Sequence, residues 1–224
     1  MRTLVIALVV LLLVAVGGDR LAEKVATDRV ESRLRDEGLR NPQVSVGGYP
    51  FLTQLIGRSF DHVTVTADAI DTTSGKARDL DVTASSVSSR SGNRALVGSL
   101  RAAGRITYAE VLARAKVRGV TLEPTGDGQV RVKGTIDLLG DQHTLAAVGR
   151  VKVSDRAIDV TPSGFQLDGA PVQTPRLLDQ LSRIYTLRYR LRDLPPGLKI
   201  TDLAAADDGF HLVVTGTDVA VPAG

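Results

Sequence analysis

The sequence of 224 residues contains no cysteine and no tryptophan, and only 4% of its residues are aromatic. Without cysteine, neither a disulfide nor a thiolate metal site can form, so the fold depends on its buried core alone. A chain of this length can bury a sufficient core without cross-links. Few rings are available for stacking on bases or sugars. The composition therefore predicts an aliphatic core made mostly of valine, leucine and alanine.

An excess of charge of one sign is also missing. The sequence has 28 basic and 25 acidic residues, a formal net charge of +3. Proteins that bind nucleic acids usually concentrate basic residues in a stripe or patch, and no such cluster is visible here. We therefore expect no nucleic-acid partner. The sequence leaves open whether the small positive charge attracts the protein weakly to an anionic membrane surface.

Motifs of catalysis and cofactor binding are absent as well. The sequence has no Walker loop, no dinucleotide fingerprint, no nucleophile elbow and no HExxH motif. Its three histidines, His62, His143 and His211, are far apart and lack a second ligand at metal spacing, so we expect exposed or edge-strand imidazoles. The acids Asp79 and Asp81 are expected to be turn residues. We predict no metal, no cofactor and no enzymatic activity.

The one long hydrophobic run spans Leu4–Val16, between Arg2 and Gly17. A basic start, an apolar stretch and a small-residue exit are typical of an export signal. The run is shorter than the roughly 20 residues that span a bilayer, so a permanent transmembrane helix is the weaker interpretation. We predict a signal peptide or signal anchor at 1–18 and a single domain at 19–224. The protein is then exported to the periplasm or cell envelope, either free or anchored by this segment.

Most of the remaining chain alternates polar and apolar residues with a period of two, which is typical of half-buried strands. Val63 and Val65 belong to one such run, and Val132 and Ile136 to the cleanest one. We predict about ten antiparallel strands. The main segments are 43–46, 60–69, 80–84, 100–106, 120–122, 130–138, 145–153, 158–160, 187–192, 198–203 and 210–215.

Three short helices interrupt the strands. The first starts near Asp19 and ends at Gly38, since glycine is favoured just past a helix end. A capping box at Thr107 predicts a second helix at 107–118. Pro175 in the first turn predicts a third helix at 174–184, whose apolar face comprises Leu177, Leu178, Leu181 and Ile184. Many strands with few helices on one face or end predict the α+β class.

The most apolar stretch after the signal lies between glycines and contains one of the four tyrosines and one of the four phenylalanines. Its flanking glycines permit hinging, and Pro50 restricts the preceding residue to an extended conformation. The segment is either plain core or a mobile lip that admits an acyl chain or touches a membrane. We hypothesise that an acyl-chain cavity is lined or gated by Tyr49, Phe51, Leu52, Leu55 and Ile56.

Three arginines alternate with apolar residues at Arg188, Arg190 and Arg192. One interpretation is a charged edge strand, since basic edges prevent aggregation. The other is a contact surface for anionic lipid headgroups, because guanidinium matches phosphate bidentately. The sequence leaves both open.

Several of these features together resemble one known family. They are the exported start, the run Gly47-Gly48-Tyr49-Pro50-Phe51-Leu52-Thr53-Gln54, the helix entry Ile106-Thr107-Tyr108-Ala109, and Leu194-Pro195-Pro196-Gly197-Leu198 followed by Asp208-Gly209-Phe210. Over roughly residues 20–221 the chain resembles the LmeA family of actinobacterial cell-envelope phospholipid-binding proteins, of which mycobacterial members are linked to lipomannan elongation. The family is itself similar to tubular lipid-binding proteins.

The resemblance implies a strongly curved, mostly antiparallel sheet that wraps short helices and encloses an aliphatic lipid cavity. It implies a non-enzymatic protein that binds phospholipid, or binds and transfers it, at a membrane surface and supports lipoglycan or mannan assembly in the envelope. The predicted lipid-contacting residues are Tyr49, Phe51, Leu52, Leu55, Ile56, Val63, Val65, Val132, Ile136, Leu181 and Ile184, with Arg188, Arg190 and Arg192 as headgroup candidates.

Two alternatives stay open. A structural or scaffolding envelope protein would have the same alternation with a fully packed interior and no ligand. An enzyme acting on envelope lipid or glycan would need an acid, base or nucleophile cluster, and the sequence shows none. Lipid that co-purifies with the protein would favour binding over scaffolding.

Overall fold

A computed structural model describes residues 31–32, 34–47, 59–72, 75–89, 94–115, 119–138, 140–154, 156–192 and 194–222. Its thirteen strands are β1 (Leu39–Arg40), β2 (Gln43–Gly47), β3 (Ser59–Thr72), β4 (Gly75–Ser89), β5 (Arg94–Ile106), β6 (Val120–Pro124), β7 (Val130–Leu138), β8 (Asp141–Ser154), β9 (Ala157–Leu167), β10 (Ala170–Pro171), β11 (Leu187–Arg190), β12 (Lys199–Ala206) and β13 (Gly209–Pro222). Two helices with described bounds are α1 (Tyr108–Ala115) and α2 (Pro175–Tyr185).

The strands form two sheets. Seven strands make one sheet in the order β1-β3-β4-β5-β13-β12, with β2 also paired to β3. Six strands make the other in the order β10-β9-β8-β7-β6, with β11 also paired to β9. The chain is thus mostly antiparallel sheet with few short helices, as predicted, and neither sheet closes on itself within the described strands. The enclosed cavity stays a prediction.

The chain divides into two compact units. Unit 1 comprises residues 1–105, 192–201 and 213–224, and unit 2 comprises residues 106–191 and 202–212. Unit 1 therefore holds β1–β4 and most of β5, and unit 2 holds β6–β11 and both helices. The expectation of a single domain at 19–224 stays a prediction.

In unit 1, the alternation along β3 places small aliphatic side chains on one buried face. Val63, Val65, Ala67 and Ala69 are each at most 6% exposed, whereas Asp68 between the two alanines is exposed. Partners across the sheet share a face, and Val63 faces Ala84 on β4. Burying each valine contributes about 1.5–3 kcal/mol, so this face contributes substantially to the stability of the unit.

The predicted helix ends agree with local geometry. Gly38 has φ +97° and its N–H donates to the carbonyl oxygen of Arg35 at 3.0 Å, which closes the helical segment seen at 31–32 and 34–36. At the start of α1, the N–H of Glu110 donates to Oγ1 of Thr107 at 3.3 Å, one half of the predicted capping box. Pro175 is the first residue of α2.

The strand predicted at 187–192 is shorter in the structure, because β11 ends at Arg190. Its partner β9 begins at Ala157, which faces Arg190. One more backbone contact follows, because the N–H of Leu191 donates at 2.9 Å to the carbonyl oxygen of Arg156 in the turn before β9. Other predicted strands are longer than expected. The strand predicted at 158–160 is the eleven-residue β9.

In unit 2, the start of α1 packs against the turn between β12 and β13. The Tyr108 hydroxyl donates to the carbonyl oxygen of Ala206 at 2.7 Å, and its ring meets Phe210 edge-on with centroids 5.0 Å apart. Burial, followed by the charges of Asp207 and Asp208, raises the pKa of Tyr108. The phenol is therefore neutral well above neutral pH, which keeps its donor proton in place.

Only glycine fits at the end of this turn. Gly209 has φ +140°, and a Cβ there would collide with the carbonyl oxygen of Ile106 and lie 2.9 Å from Cα of Thr107. Both contacts are to backbone, which cannot rotate away. The turn can therefore approach α1 this closely only without a side chain at residue 209.

We predict that Gly209→Ala destabilises the protein by about 3–5 kcal/mol, the sum of positive-φ strain and overpacking. The matched control is Gly126→Ala, since Gly126 has φ +86° but no atom within 4 Å of an added Cβ. Gly126→Ala should cost only about 1–2 kcal/mol, from strain alone. Urea denaturation of both variants measures the difference, and equal losses would show that the close approach contributes nothing.

Candidate functional site

An apolar contact region of unit 2 lies where α2 covers β7, β8 and β9. Its buried members are Leu145, Ala147, Phe165 and Leu181. Its partly buried members are Ile136, Leu167, Val172, Leu178 and Tyr185. We call these nine residues the α2 cluster. Two predicted lipid-contacting residues, Ile136 and Leu181, thus come together here, although Ile136 is on a strand and Leu181 on a helix 45 residues later in the chain.

The α2 cluster is lined almost wholly by hydrocarbon. Phe165 and Tyr185 supply its only rings among the nine residues, with centroids 6.4 Å apart. Several members are only partly buried, so aliphatic surface of Ile136 and Leu178 remains accessible at the edge of the cluster. Such surface can contact an acyl chain without polar chemistry, because burial contributes about 0.8 kcal/mol per methylene.

Val132 lies in a tightly packed part of the same sheet. It is 4% exposed, and it faces Leu122 on β6 and Ala147 on β8. A Cβ added to Gly149 would lie 2.7 Å from Val160 and 3.1–3.2 Å from Val130 and Val132. The close approach of these valines to the glycine backbone indicates a core contact for Val132.

The other predicted lipid-contacting residues lie elsewhere. Val63 and Val65 are buried on β3 in unit 1. The hypothesised gate of Tyr49, Phe51, Leu52, Leu55 and Ile56 falls outside the described residues. Its role stays a prediction.

Helix α2 carries two kinds of apolar residue. Leu178, Leu181 and Tyr185 pack into the α2 cluster, but Ile184 is 64% exposed and Leu177 is 39% exposed. Positions 177 and 184 are seven residues apart and therefore share one side of the helix, about 10 Å apart. Arg176 and Arg183 are exposed and make no ion pair with described residues. We call Arg176, Leu177, Arg183 and Ile184 the α2 outer face.

The arginine series begins on an edge strand. Arg188 and Arg190 are exposed on β11, whereas Leu187 and Tyr189, which alternate with them, are at most 3% exposed. Nε of Arg188 lies 3.4 Å from Oδ1 of Asp159, its partner on β9. Arg190 makes no ion pair with any described residue. Arg192 is exposed beyond the strand and belongs to unit 1.

A polar contact that the sequence did not reveal joins His143 to Asp168. Nδ1 of His143 lies 2.6 Å from Oδ2 of Asp168, and the N–H of Thr144 donates to Oδ1 at 2.8 Å. Asp168 and Gly169 both have positive φ and connect β9 to β10. An Asp-Gly pair after a strand is a strong hairpin signal, and it could have revealed this turn.

The contact shifts the acidity of one partner. The hydrogen bond from His143, and then that from Thr144, hold the pKa of Asp168 below its ordinary value of 3.8. No nucleophile accompanies the pair among its described partners, and its bonds tie the turn to the start of β8. We therefore assign it a structural role.

Neither a metal centre nor a membrane span is found in the described part of the chain. No group of three or more His, Asp or Glu side chains comes close enough there to hold an ion. Among the helices described, none combines the length and the apolarity needed to cross a bilayer.

Comparison with known proteins identifies the family. The family model for LmeA-like phospholipid-binding proteins matches residues 17–217. The chain belongs to this family. No curated protein and no solved structure matches the chain significantly. The matched residues include most of both units and the whole α2 cluster.

We predict that the Asp168 carboxylate stabilises the protein above pH 3.8 and that this contribution is lost as the pH falls through the lowered pKa. In His143→Ala, the pKa of Asp168 should rise toward its ordinary value, because the largest cause of the shift is removed. NMR titration of the carboxyl carbon in both proteins measures this. An identical midpoint in the variant would show that His143 does not control Asp168.

Proposed function

We propose that this member of the LmeA-like family is a non-enzymatic phospholipid-binding protein of the cell envelope. The observation that carries the proposal is the match of a phospholipid-binding family to residues 17–217. The export signal proposed for residues 1–18 would bring the protein to the envelope. There it would hold or transfer phospholipid and so support the assembly of lipoglycan or mannan.

The acyl chains are proposed to contact aliphatic surface that begins at the α2 cluster. Ile136 and Leu178 are partly buried there, and Leu181 is buried beneath them. An acyl chain laid on these side chains would remove hydrocarbon from water on both partners, which favours binding without directed contacts. The segment Tyr49–Ile56 is separately proposed to gate an acyl-chain cavity.

The membrane is proposed to meet the α2 outer face. Leu177 and Ile184 offer exposed aliphatic groups, while Arg176 and Arg183 offer positive charge beside them. A helix with apolar groups flanked by arginines suits the boundary between anionic headgroups and acyl chains. Arg190 adds a charge on β11 without an ion-pair partner among the described residues, whereas Arg188 already has one in Asp159.

A scaffolding protein without ligand is the second candidate function. The observation that favours it is the close packing of Val130, Val132 and Val160 around Gly149, which leaves no room for even one added carbon. If the protein is a scaffold, the partly buried residues of the α2 cluster contact solvent and bind no ligand.

Native mass spectrometry of the purified protein distinguishes these functions. We expect phospholipid to co-purify with the wild type, and Phe51→Ser with Leu55→Ser to reduce its amount while the melting temperature changes little. If these side chains were only core, Phe51 truncation alone would cost about 3–5 kcal/mol of stability. Wild-type protein that carries no lipid would contradict the proposal and favour the scaffold.

The membrane contact has its own test. Leu177→Ser with Ile184→Ser should weaken binding to phosphatidylglycerol vesicles at least about tenfold, since each lost aliphatic contact is worth about 1.5–3 kcal/mol and ~1.4 kcal/mol equals tenfold. Leu96→Ser is the matched control, because Leu96 is 41% exposed on β5. Vesicle co-sedimentation measures both. An equal loss in the control, or none in the double variant, would refute a specific role of the α2 outer face.

A further inference from the structure

A groove of about 540 Å³ lies on one sheet face of unit 1. It is formed by four adjacent strands, β4, β5, β13 and β12. Two cross-strand pairs, Thr83 with Arg101 and Ser85 with Ser99, fix one half of its lining. None of its lining residues was predicted from the sequence as a site, because they are dispersed over more than 130 positions of the chain.

The lining carries hydroxyl groups and positive charge together. Six side chains contribute hydroxyls: Thr83, Ser85, Ser99, Thr201, Thr215 and Thr217. Thr201 donates its hydroxyl to the carbonyl oxygen of Val213 at 3.3 Å. The other five hydroxyls make no side-chain hydrogen bond to the described residues. The groove thus presents several donors and acceptors that no described protein atom satisfies.

The charge of the groove is wholly positive. Arg101 and Lys199 line it, no carboxylate does, and neither cation forms an ion pair with a described residue. Guanidinium binds phosphate bidentately and ammonium adds a second charge-assisted contact. An acyl chain would pair with neither the hydroxyls nor the two cations of this groove.

We propose that the groove binds a phosphorylated polyol, with Arg101 and Lys199 on the phosphate and the threonine and serine hydroxyls on the polyol. Its volume lies in the range of about 300–1,000 Å³ typical of small-ligand sites and exceeds what a bare phosphate ion needs. The polyol phosphate is either a free molecule or the headgroup of a lipid. The site shares no residue with the α2 cluster or the arginine series.

Isothermal titration with myo-inositol 1-phosphate at low salt tests the proposal on the full mature protein. Wild type should bind it at least about tenfold more tightly than either myo-inositol or inorganic phosphate. Arg101→Gln with Lys199→Gln should weaken binding at least tenfold. Thr217→Val removes one hydroxyl and no charge, and it should weaken binding about threefold to tenfold. This single variant tests the site if the double variant folds poorly.

The matched control is Arg150→Gln with Lys152→Gln, because these residues form an exposed arginine–lysine pair on β8. This variant should bind within twofold of wild type. Equal losses in both double variants, or no preference of the wild type for the inositol phosphate over inorganic phosphate, would overturn the proposal.

Vesicles identify the source of the polyol phosphate. If free inositol 1-phosphate competes with phosphatidylinositol vesicles for the wild type, and the groove variant loses both ligands, the groove takes a lipid headgroup. If the groove variant loses only the free ligand, the groove takes a soluble molecule. Either result supports the site. If lipid still co-purifies with the Arg101→Gln and Lys199→Gln variant, the proposed acyl-chain binding does not depend on the groove.

Discussion

Burial of small aliphatic side chains on alternate positions of antiparallel strands is the constraint on which this protein depends. The sequence has no cysteine for a disulfide and no tryptophan, and the described residues include no group of three or more potential metal ligands. On β3 the buried residues are valines and alanines, and on β8 Leu145, Ala147 and Gly149 lie on one face. Small side chains allow close approach, as around Gly149, whereas beside α2 the larger Ile136 and Leu178 stay only partly buried.

The alternation made much of the fold predictable. A period of two over many segments indicated antiparallel strands, and a capping box and Pro175 located α1 and α2 within one or two residues of their starts. The pairing of strands was not predictable, because alternation is the same whichever neighbour a strand has. The hairpin at Asp168-Gly169 was missed although its signal was in the sequence.

The candidate sites were predictable only where residues are close in the sequence. The apolar face of α2 could be identified, but its division into a packed side with Leu181 and an exposed side with Ile184 depends on how the helix lies on β9. The groove with Arg101 and Lys199 is formed by four strands that are distant in the sequence, so no local sequence pattern predicts it. Tyr108 and Gly209 likewise meet only through the β12–β13 turn.

The chain belongs to a phospholipid-binding family. The central claim is that an acyl chain lies on the α2 cluster. Paramagnetic broadening by a phospholipid spin-labelled in its acyl chain tests it most directly, with methyl signals of Ile136, Leu178 and Val130 compared in one spectrum. The account predicts strong broadening for Ile136 and Leu178 and little for Val130, because broadening falls steeply with distance and Val130 lies six residues from Ile136 along β7, about 20 Å at ~3.3 Å per residue. Uniform broadening, or none at Ile136 and Leu178, would contradict it.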